Sequence, residues 1–398
     1  MKRTIKTIKD IKVKGKRVLV RVDFNVPLDE QGRITSDTRI RATLPTIEYL
    51  LERGACIILC SHLGRPKGKP VEGLSLRVAA ECLSKLLDQP VETAEGCIGP
   101  QVEQMAQQLG SGEALMLENV RFTSEELDND DAFAQGLARL AEIYINDAFG
   151  ACHRAHASIV GVPKHLPAGA GLLLEKELKT LGGLLENPEH PFGGLFGGAK
   201  VSDKVATLEN IMDKLDFLLI GGAMAALFLK AKGYEIGQSE MELDELDTAS
   251  TLIETVMGNE TKLLLPVDLV VAESIDGNAT METVSVENIP SNMMIVDIGP
   301  QTVQNFQEKL RDCHTIFWNG PMGIYEIAPY ATGTKSVANH LAALEATTVV
   351  AGGSTAEIVD DLRLTDRMGF VSTGGGAALK YLAGDSLPGV EALPEAEA

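Results

Sequence analysis

The chain has little positive charge for its size. Its 398 residues include 36 Lys and Arg against 56 Asp and Glu, which gives a formal net charge of −20. Proteins that bind nucleic acid or anionic membrane surfaces depend on basic surfaces, so the sequence disfavours both kinds of partner. In such an acidic chain, arginines that cluster in particular loops are informative, because a local cationic site forms only if the few basic residues are placed together.

Paired cysteines, metal-binding spacings and long apolar runs are also lacking. The six cysteines lie at positions 56, 60, 82, 97, 152 and 313 without a C-x-x-C pair, and we interpret them as reduced, buried thiols. The opening stretch MKRTIKTIKD has no apolar signal-peptide core, and no segment reaches the roughly 18 apolar residues of a membrane span. We therefore expect a mature cytoplasmic protein.

Apolar, β-branched runs alternate with helical stretches along the chain, which is typical of βαβ units and parallel sheets. The length exceeds what one core comfortably supports, and we expect two lobes. The predicted strands are Arg17 to Val22, Ala55 to Cys60, Ala114 to Leu117, Glu142 to Ile145, Phe217 to Ile220, Lys262 to Pro266, Thr315 to Trp318, Thr347 to Val350 and Gly369 to Ser372.

A leucine-rich stretch between the two sets of strands predicts the junction. Leu174, Leu178, Leu181 and Leu185 fall on one helical face, and Gly and Pro follow. We predict an α/β protein with two doubly wound parallel-sheet (Rossmann-like) lobes joined by a hinge helix. Residues 1–170 form the N-terminal domain, 171–186 the connecting helix and 187–377 the C-terminal domain. The alternative is a core helix of one large domain.

Charged side chains follow the predicted strands of the first half. Ligands of open parallel sheets bind beyond the carboxyl ends of the strands. The residues at these ends, or in the loop before the next helix, are Asp23, Asn25, Arg39, His62, Arg65, Arg121, His153, Arg154 and His156. Because guanidinium groups bind phosphate and carboxylate oxygens in pairs, we predict a small, multiply anionic ligand here. For His153 and His156 a purely structural role is an equal alternative.

Glycines follow the strands of the second half, as in Gly197-Gly198-Ala199-Lys200 and Asn319-Gly320-Pro321. Glycine lets the backbone approach a phosphate, and a helix that starts there points N–H groups at the anion. One such turn is more often a plain tight turn, but several in register predict a nucleotide site. The Walker A, protein-kinase and G-x-G-x-x-G patterns are all absent.

Nine ordered motifs resemble the phosphoglycerate kinase family over essentially the whole chain. They are RVDFNVP at 21–27, SHLGRP at 61–66, ENVRF at 118–122, NDAFGACHRAHAS at 146–158, GGAKVSDK at 197–204, LPVD at 265–268, DIGP at 297–300, WNGPMGIYE at 318–326 and STGGGA at 372–377. The resemblance implies reversible phosphoryl transfer between ATP and the carboxylate of 3-phosphoglycerate, which gives 1,3-bisphosphoglycerate and ADP in glycolysis and gluconeogenesis.

The resemblance also implies binding residues, a magnesium ion with the nucleotide and a monomeric chain. The residues implied for 3-phosphoglycerate are Asp23, Asn25, Arg39, His62, Arg65, Arg121 and Arg154. Those implied for ATP or ADP are Lys200, Lys204, Gly221, Gly222, Asn319, Glu326, Gly353, Ser354 and Thr355. Residues from about 378 to 398 are expected to fold back onto the N-terminal domain.

Two positions depart from the family pattern. Ser354 stands where the family commonly has an aspartate that helps to hold Mg²⁺, and a hydroxyl is a weaker ligand for a hard cation than a carboxylate. The metal ligands are therefore left open. Gly384-Asp385 stands where the family often has Gly-Lys, which we expect to change only a surface charge.

The implied reaction needs positioning and electrostatic stabilisation rather than a general base. The carboxylate that attacks ATP is already ionised at neutral pH. We assign Arg39, Lys204 and the N–H groups of Gly374, Gly375 and Gly376 to the charge on the transferred phosphoryl group. Closure of the two lobes about the hinge helix is expected to precede in-line transfer and to exclude water.

Two other functions share parts of this pattern. A nicotinamide-dependent dehydrogenase has similar strand and glycine spacing, but it requires the missing dinucleotide fingerprint. A non-enzymatic two-lobed anion-binding protein explains the arginines, but it leaves the glycine-rich second half without a role.

Overall fold

The computed structural model describes residues 4–198, 200–241 and 245–396. Ala199, in one predicted glycine-rich turn, and residues 1–3 and 397–398, at the two ends of the predicted N-terminal domain, lie outside these ranges. The chain divides into two compact units, which we call unit 1 (Met1–Lys179 with Ser386–Ala398) and unit 2 (Thr180–Asp385). The division falls within a single helix, Leu172–Glu186.

Unit 1 contains a parallel sheet whose described strands follow the order β3-β4-β2-β1-β5-β6. Every residue of β2 is buried, as expected for a parallel strand covered by helices on both faces. The strands are β1 (Arg17–Arg21), β2 (Cys56–Cys60), β3 (Val91–Thr93), β4 (Ala114–Met116), β5 (Ile143–Asn146) and β6 (Ala168–Ala170). The helices are α1 (Thr38–Glu52), α2 (Arg77–Leu87), α3 (Pro100–Gln108), α4 (Ser124–Leu127), α5 (Asp131–Ala138), α6 (Leu172–Glu186) and, near the C-terminus, α14 (Pro388–Glu391).

The C-terminal segment packs onto unit 1. The backbone N–H of Gly389 donates to the carbonyl of Cys152 at 2.8 Å, and the Asn146 side chain donates to the carbonyl of Gly389 at 3.3 Å. A Cβ atom at position 389 would lie 2.7 Å from Ile159, so this contact requires glycine. The return to unit 1 begins at Ser386.

Unit 2 contains a second parallel sheet, with the described strands in the order β15-β14-β13-β7-β8-β9. A separate antiparallel sheet has the order β11-β10-β12. The strands are β7 (Phe192–Phe196), β8 (Phe217–Ile220), β9 (Lys262–Leu264), β10 (Asp268–Ala272), β11 (Met281–Ser285), β12 (Met294–Ile298), β13 (Thr315–Asn319), β14 (Thr347–Ala351) and β15 (Phe370–Val371). The helices are α7 (Val205–Ile211), α8 (Gly222–Ala231), α9 (Glu245–Gly258), α10 (Pro300–Leu310), α11 (Thr332–Leu341), α12 (Gly353–Asp361) and α13 (Gly376–Leu382).

The predicted fold class is confirmed, because each unit is built on a parallel sheet with flanking helices. The predicted strands all form, with ends that differ by at most two residues. β3, β6, β7 and the antiparallel strands β10 to β12 were not predicted. β7, with the sequence FGGLF, has two glycines, which obscure the apolar pattern of a buried strand. Among the described helices, none has both the length and the hydropathy that crossing a membrane would require.

Candidate functional site

The carboxyl ends of β1 and β2 bring charged side chains together in unit 1. Asp23 follows β1, and its Oδ2 atom accepts a hydrogen bond from Nη1 of Arg39 at 2.6 Å. Its Oδ1 atom lies 3.7 Å from Nδ1 of His62, which follows β2. Only 5% of Asp23 is exposed, while the Arg39 side chain is 28% exposed. Asp23 therefore anchors an arginine whose guanidinium still reaches solvent.

The charge of Asp23 is maintained by its neighbours. Burial by itself raises the pKa of this carboxyl, but the charges of Arg39, Arg21 and Arg121 hold the pKa below its usual value. We call Arg21, Asp23, Arg39, His62 and Arg121 the basic cluster. It contains three guanidinium groups and one ionised carboxylate, so its net charge is positive.

His62 enters this cluster as a neutral ring with one fixed tautomer. Its Nδ1 atom lies 3.1 Å from Nη2 of Arg21, and a guanidinium can only donate. Nδ1 is therefore the acceptor, and the ring proton sits on Nε2. Burial and then the surrounding arginines lower the pKa of His62 well below its ordinary value, although Asp23 opposes this shift. His62 thus offers an N–H donor rather than a positive charge.

The loop after β2, which carries Arg65, is held from two sides. The side chain of Asn25 accepts a hydrogen bond from Gly64 N at 2.8 Å, and Nη1 of Arg121 donates to Gly64 O at 2.9 Å. Arg65 itself is exposed, and Arg154 is partly buried. Burial, Arg21 and Arg154 lower the pKa of Arg121 to about 10, which shows how closely these cations are gathered. Such crowding is stabilised when an anion binds.

Arg21, Ser158 and Glu126 belong to this network but were not predicted as site residues. Arg21 is fully buried at the end of β1, where its Nε donates to Ser158 Oγ at 2.9 Å. Glu126, also fully buried, accepts hydrogen bonds from Ser158 N and Oγ at 2.8 and 2.7 Å. The available signal was a charged residue inside the apolar run RVLVRV, since a lone arginine in a buried strand needs partners.

His156 lies on the other side of Glu126, with Nδ1 3.7 Å from a carboxylate oxygen. Burial, followed by the charges of Arg121 and Arg154, lowers the pKa of His156 to about 4. It is therefore neutral at physiological pH. His153 is partly buried. These contacts agree with a structural role for His156, and its part in ligand binding stays open.

In unit 2 the glycine-rich turns border a cavity of about 350 Å³. Its lining combines backbone from Gly198, Gly222 and Gly323 with the apolar side chains of Leu269 and Met322. Glu326 and Ser354, both predicted for nucleotide binding, lie on its wall and are exposed. An apolar cavity with a few polar groups at its edge suits a flat base attached to a polar sugar and phosphates.

The glycines around this cavity serve two different purposes. Gly197 and Gly222 let neighbouring turns pack against each other, because a Cβ atom there would lie 2.1 Å from Pro321 O and 2.6 Å from Gly198 N. Gly222 also has φ +61°, which disfavours other residues. At Gly353 and Gly376, by contrast, a Cβ atom would meet no described atom within 4 Å. Both positions are exposed, so a ligand could approach the backbone there.

The two predicted lysines of unit 2 differ in exposure. Lys200 is exposed, whereas Lys204 is only 8% exposed and its Nζ donates to the carbonyl of Lys200 at 3.2 Å. Burial lowers the pKa of Lys204, and Asp203 and Glu245 oppose this effect. Lys204 directly precedes α7, so the helix start fixes the position of its Cα and Cβ atoms.

Asn319 and Thr355 make contacts within the protein. Nδ2 of Asn319 donates to Ala351 O at 2.8 Å, and Oγ1 of Thr355 accepts from Gly320 N at 2.7 Å. Both side chains are buried, so they join the turns after β13 and β14. The Oδ1 atom of Asn319 is buried and lacks a partner among the described atoms. Gly374 N donates to Ser372 Oγ at 3.1 Å, which shapes the turn before α13.

The described side chains do not form a metal site by themselves. Across residues 4–198, 200–241 and 245–396, no group of three or more His, Cys, Asp or Glu residues could hold a metal ion. The polar groups at the cavity are the Ser354 hydroxyl, the exposed Glu326 and the buried Asp297. Mg²⁺ is usually held by one or two carboxylates together with substrate phosphates and water, so these side chains would need the nucleotide phosphates to complete a site.

The whole chain is similar to proteins of one kind. The sequence model of the family phosphoglycerate kinase matches residues 8–385. The phosphoglycerate kinase of Moorella thermoacetica is 51% identical over 389 residues, covering 98% of this chain and 99% of that protein. The phosphoglycerate kinase of Desulfosudis oleivorans is 50% identical over 390 residues and covers 98% of both chains.

Two solved structures extend this similarity to the fold. The phosphoglycerate kinase from Coxiella burnetii superposes with a TM-score of 0.85 at 38% identity. The phosphoglycerate kinase from Pyrococcus horikoshii OT3 superposes with a TM-score of 0.87 at 32% identity. In both cases 98% of each chain is covered.

Proposed function

Since the chain belongs to the phosphoglycerate kinase family, and so catalyses phosphoryl transfer between ATP and the carboxylate of 3-phosphoglycerate, we propose a division of labour between its units. Unit 1 binds 3-phosphoglycerate through the basic cluster with Asn25, Arg65 and Arg154. Unit 2 binds ATP or ADP at its glycine-lined cavity. The resemblance found in the nine motifs is confirmed by the family match, and the dehydrogenase and the non-enzymatic binding protein are excluded by it.

One observation carries the assignment of the acid to unit 1. Three guanidinium groups, from Arg21, Arg39 and Arg121, act on the carboxylate of Asp23 in a chain whose net charge is −20. Such an excess of fixed positive charge favours a ligand with several negative charges, and 3-phosphoglycerate carries both a phosphate and a carboxylate. The assignment of the nucleotide to unit 2 is supported by its apolar cavity, which suits a flat base.

The attack itself needs no general base, because the carboxylate of the acid is ionised at neutral pH. We propose that Arg39, Lys204 and the N–H groups of Gly374, Gly375 and Gly376 stabilise the negative charge of the transferred phosphoryl group. Both ligands must meet for the transfer, so we further propose that the units close before reaction and exclude water.

The metal, the oligomeric state and the compartment complete the proposal. Enzymes of this family use ATP or ADP, generally with Mg²⁺, and we propose that here the ion arrives on the nucleotide phosphates, since the described side chains do not form a site for it. A chain that carries both binding regions needs no second copy, which supports a monomer. Its family is glycolytic, which supports the cytoplasm.

Arg65→Ala tests the division of labour. The exposed guanidinium lies on the loop that Asn25 and Arg121 hold, so its loss should weaken 3-phosphoglycerate binding by about tenfold, the scale of one charge-assisted hydrogen bond. The affinity for ADP should not change. Isothermal titration of each ligand separately measures both constants. Arg139→Ala is the matched control, because Arg139 pairs with Glu103 at the end of α5, away from the basic cluster. Selective loss of ADP binding by Arg65→Ala would reverse the assignment.

Gly376→Ala should separate stability from activity. A methyl group at this position meets no described atom within 4 Å, and alanine favours a helix by about 1 kcal/mol over glycine, so the unfolding temperature should stay equal or rise. The same methyl group would keep a phosphoryl group from the backbone N–H, which should lower kcat by about 10²-fold. Calorimetry and a coupled NADH assay measure the two effects. Gly258→Ala, in an equally open position at the end of α9, should leave kcat unchanged. A normal kcat of Gly376→Ala would contradict a catalytic role for the backbone N–H groups of this turn.

A further inference from the structure

Asp147 is a fully buried carboxyl group that the transfer mechanism above does not use. It directly follows β5, and its Oδ1 atom accepts hydrogen bonds from Leu173 N at 2.9 Å and Leu174 N at 3.1 Å. These N–H groups lie in the first turn of α6, the helix in which the chain passes from unit 1 to unit 2. Asp147 therefore caps the connecting helix from a different part of the sequence.

The residues next to the helix cannot supply this cap. Gly171, which precedes α6, has no side chain, and a Cβ atom there would lie 2.2 Å from Oδ1 of Asp147. The remaining contact comes from α1, where Oγ1 of Thr46 accepts from Leu172 N at 2.9 Å. The first N–H groups of a helix have no partner within it, so side chains that accept from them fix the helix start. Both of these side chains belong to unit 1.

Asp147 is also bonded to the basic cluster. Its backbone N–H donates to the carbonyl of Arg21 at 2.8 Å, where β1 and β5 run side by side. The guanidinium of Arg21 in turn contacts Nδ1 of His62. Asp147 is thus hydrogen-bonded both to Arg21 of the basic cluster, through its backbone, and to the start of α6, through its side chain.

We propose that Asp147 is a positioning residue for phosphoryl transfer, which ties the basic cluster to the start of α6 and so sets the direction in which the connecting helix leaves unit 1. It contacts neither substrate, and its effect on turnover comes through the helix. The inference rests on the proposed role of unit 1 in binding the acid. Because transfer requires both ligands to meet in one geometry, a loosened helix start should lower kcat while each ligand still binds.

The ionisation of Asp147 gives this role a measurable signature. Burial raises the pKa of Asp147 to about 7, against hydrogen bonds from Thr46, Leu174 and Leu173 that lower it. The carboxyl therefore changes charge near neutral pH. The ionised form accepts N–H groups more strongly, and it also favours the positive end of the helix dipole.

Other ionisable groups lie on the elements next to Asp147. Burial raises the pKa of Cys152 to about 12, so this thiol stays neutral near pH 7. On α6, Glu175 pairs with Lys9 from the N-terminal segment at 2.8 Å, and Glu177 is buried. Arg21 lies on the adjacent strand. All of these groups are the same in wild type and in a variant of Asp147. The ratio of the two kcat values at each pH therefore reports the effect of the Asp147 carboxyl alone.

Asp147→Asn tests the proposal, because asparagine keeps the shape and the Oδ1 acceptor but removes the charge. At about pH 8 kcat should fall by about tenfold, while the dissociation constants of 3-phosphoglycerate and ADP stay within about twofold. At about pH 6 the wild-type carboxyl is largely protonated, so the difference in kcat should shrink to about twofold. An equal loss at both pH values, or a loss confined to the affinity for the acid, would overturn the proposal.

Thr46→Val is a second variant at the same helix end. It removes the acceptor for Leu172 N and also the hydroxyl that lowers the pKa of Asp147, so Asp147 should ionise at a higher pH and the pH dependence of kcat should shift upward. The unfolding temperature gives a second readout. Since the folded-state pKa is raised, wild-type stability falls as pH rises from about 4 to about 7, and Asp147→Asn lacks this contribution. The variant should therefore gain stability relative to wild type as pH rises, and a constant difference would count against a buried, titrating carboxyl. Failure of the proposed function would appear separately, in the Arg65→Ala titration.

Discussion

Replacing Arg39 with alanine should lower kcat by about 10³-fold, the scale of an arginine that stabilises a transferred phosphoryl group. The Arg39 side chain lies at the start of α1, partly exposed, with Nη1 fixed by Asp23 at 2.6 Å. One edge of the guanidinium is thus anchored, and the rest can face an incoming anion. Since we propose that unit 2 binds the nucleotide, the affinity for ATP should stay nearly unchanged. Steady-state kinetics with both substrates varied, together with titration of ADP, separates these two effects.

Two further variants define what Arg39 contributes. Arg39→Lys keeps the charge but loses the planar fork, so it should recover only part of the lost rate. Asp23→Asn removes the carboxylate that orients the guanidinium and should lower kcat less than Arg39→Ala does, because the cation remains. If Arg39→Ala turned over at a near wild-type rate, the charge of the phosphoryl group would have to be stabilised elsewhere.

Lys204→Ala should produce the second large effect, a fall in kcat of about 10²-fold to 10³-fold. Burial makes a lysine charge more effective, because a nearby anion is less screened by water. The Nζ atom has a protein partner in the carbonyl of Lys200, which leaves two of its three hydrogens for other acceptors. Rapid-quench measurement of a single turnover distinguishes loss of chemistry from slow product release.

The neighbouring Lys200 is the natural comparison for Lys204. It is exposed, so Lys200→Ala should mainly raise the KM for ATP and affect kcat little. Burial also lowers the pKa of Lys204, so this ammonium should lose its proton at a lower pH than an ordinary lysine. The alkaline limb of the kcat profile should therefore disappear in Lys204→Ala if this group causes it. Equal losses of kcat in both lysine variants would contradict the distinct roles.

Predictions from the chain pattern succeeded where local signals were strong. The apolar runs of β1, β2, β8 and β13 are short, β-branched and followed by turn residues, and each forms a parallel strand. The strands β3 and β6, with the sequences VET and AGA, were missed because they contain only one large apolar side chain between them, whereas the equally short β4, β9 and β15 lie within longer apolar runs. The antiparallel sheet was missed because the exposed strand β11 lacks an apolar face.

The residues of the candidate site also divide into those with a local sequence signal and those without one. Asp23, His62 and Arg121 were predicted from their place after strands and Arg39 from a loop before the next helix. The structure brings them together, with Arg39 in the first turn of α1. Arg21 was missed, although it is the residue that fixes the tautomer of His62. Its position within a strand indicates structure rather than function until its partners from other segments are known. The binding roles of all these residues remain predictions for the experiments above.

The sequence by itself determined the family, the α/β class and the types of residue at each rim, because motifs and apolar periodicity are local properties of the chain. Only the tertiary structure decided which glycines are filled by neighbouring backbone and which face open space. It also decided that Asp147, in the motif NDAFGACHRAHAS, caps α6, which begins 25 residues later at Leu172. The reason is physical: burial, pKa and hydrogen bonding depend on groups distant in sequence, and these meet only once the chain has folded.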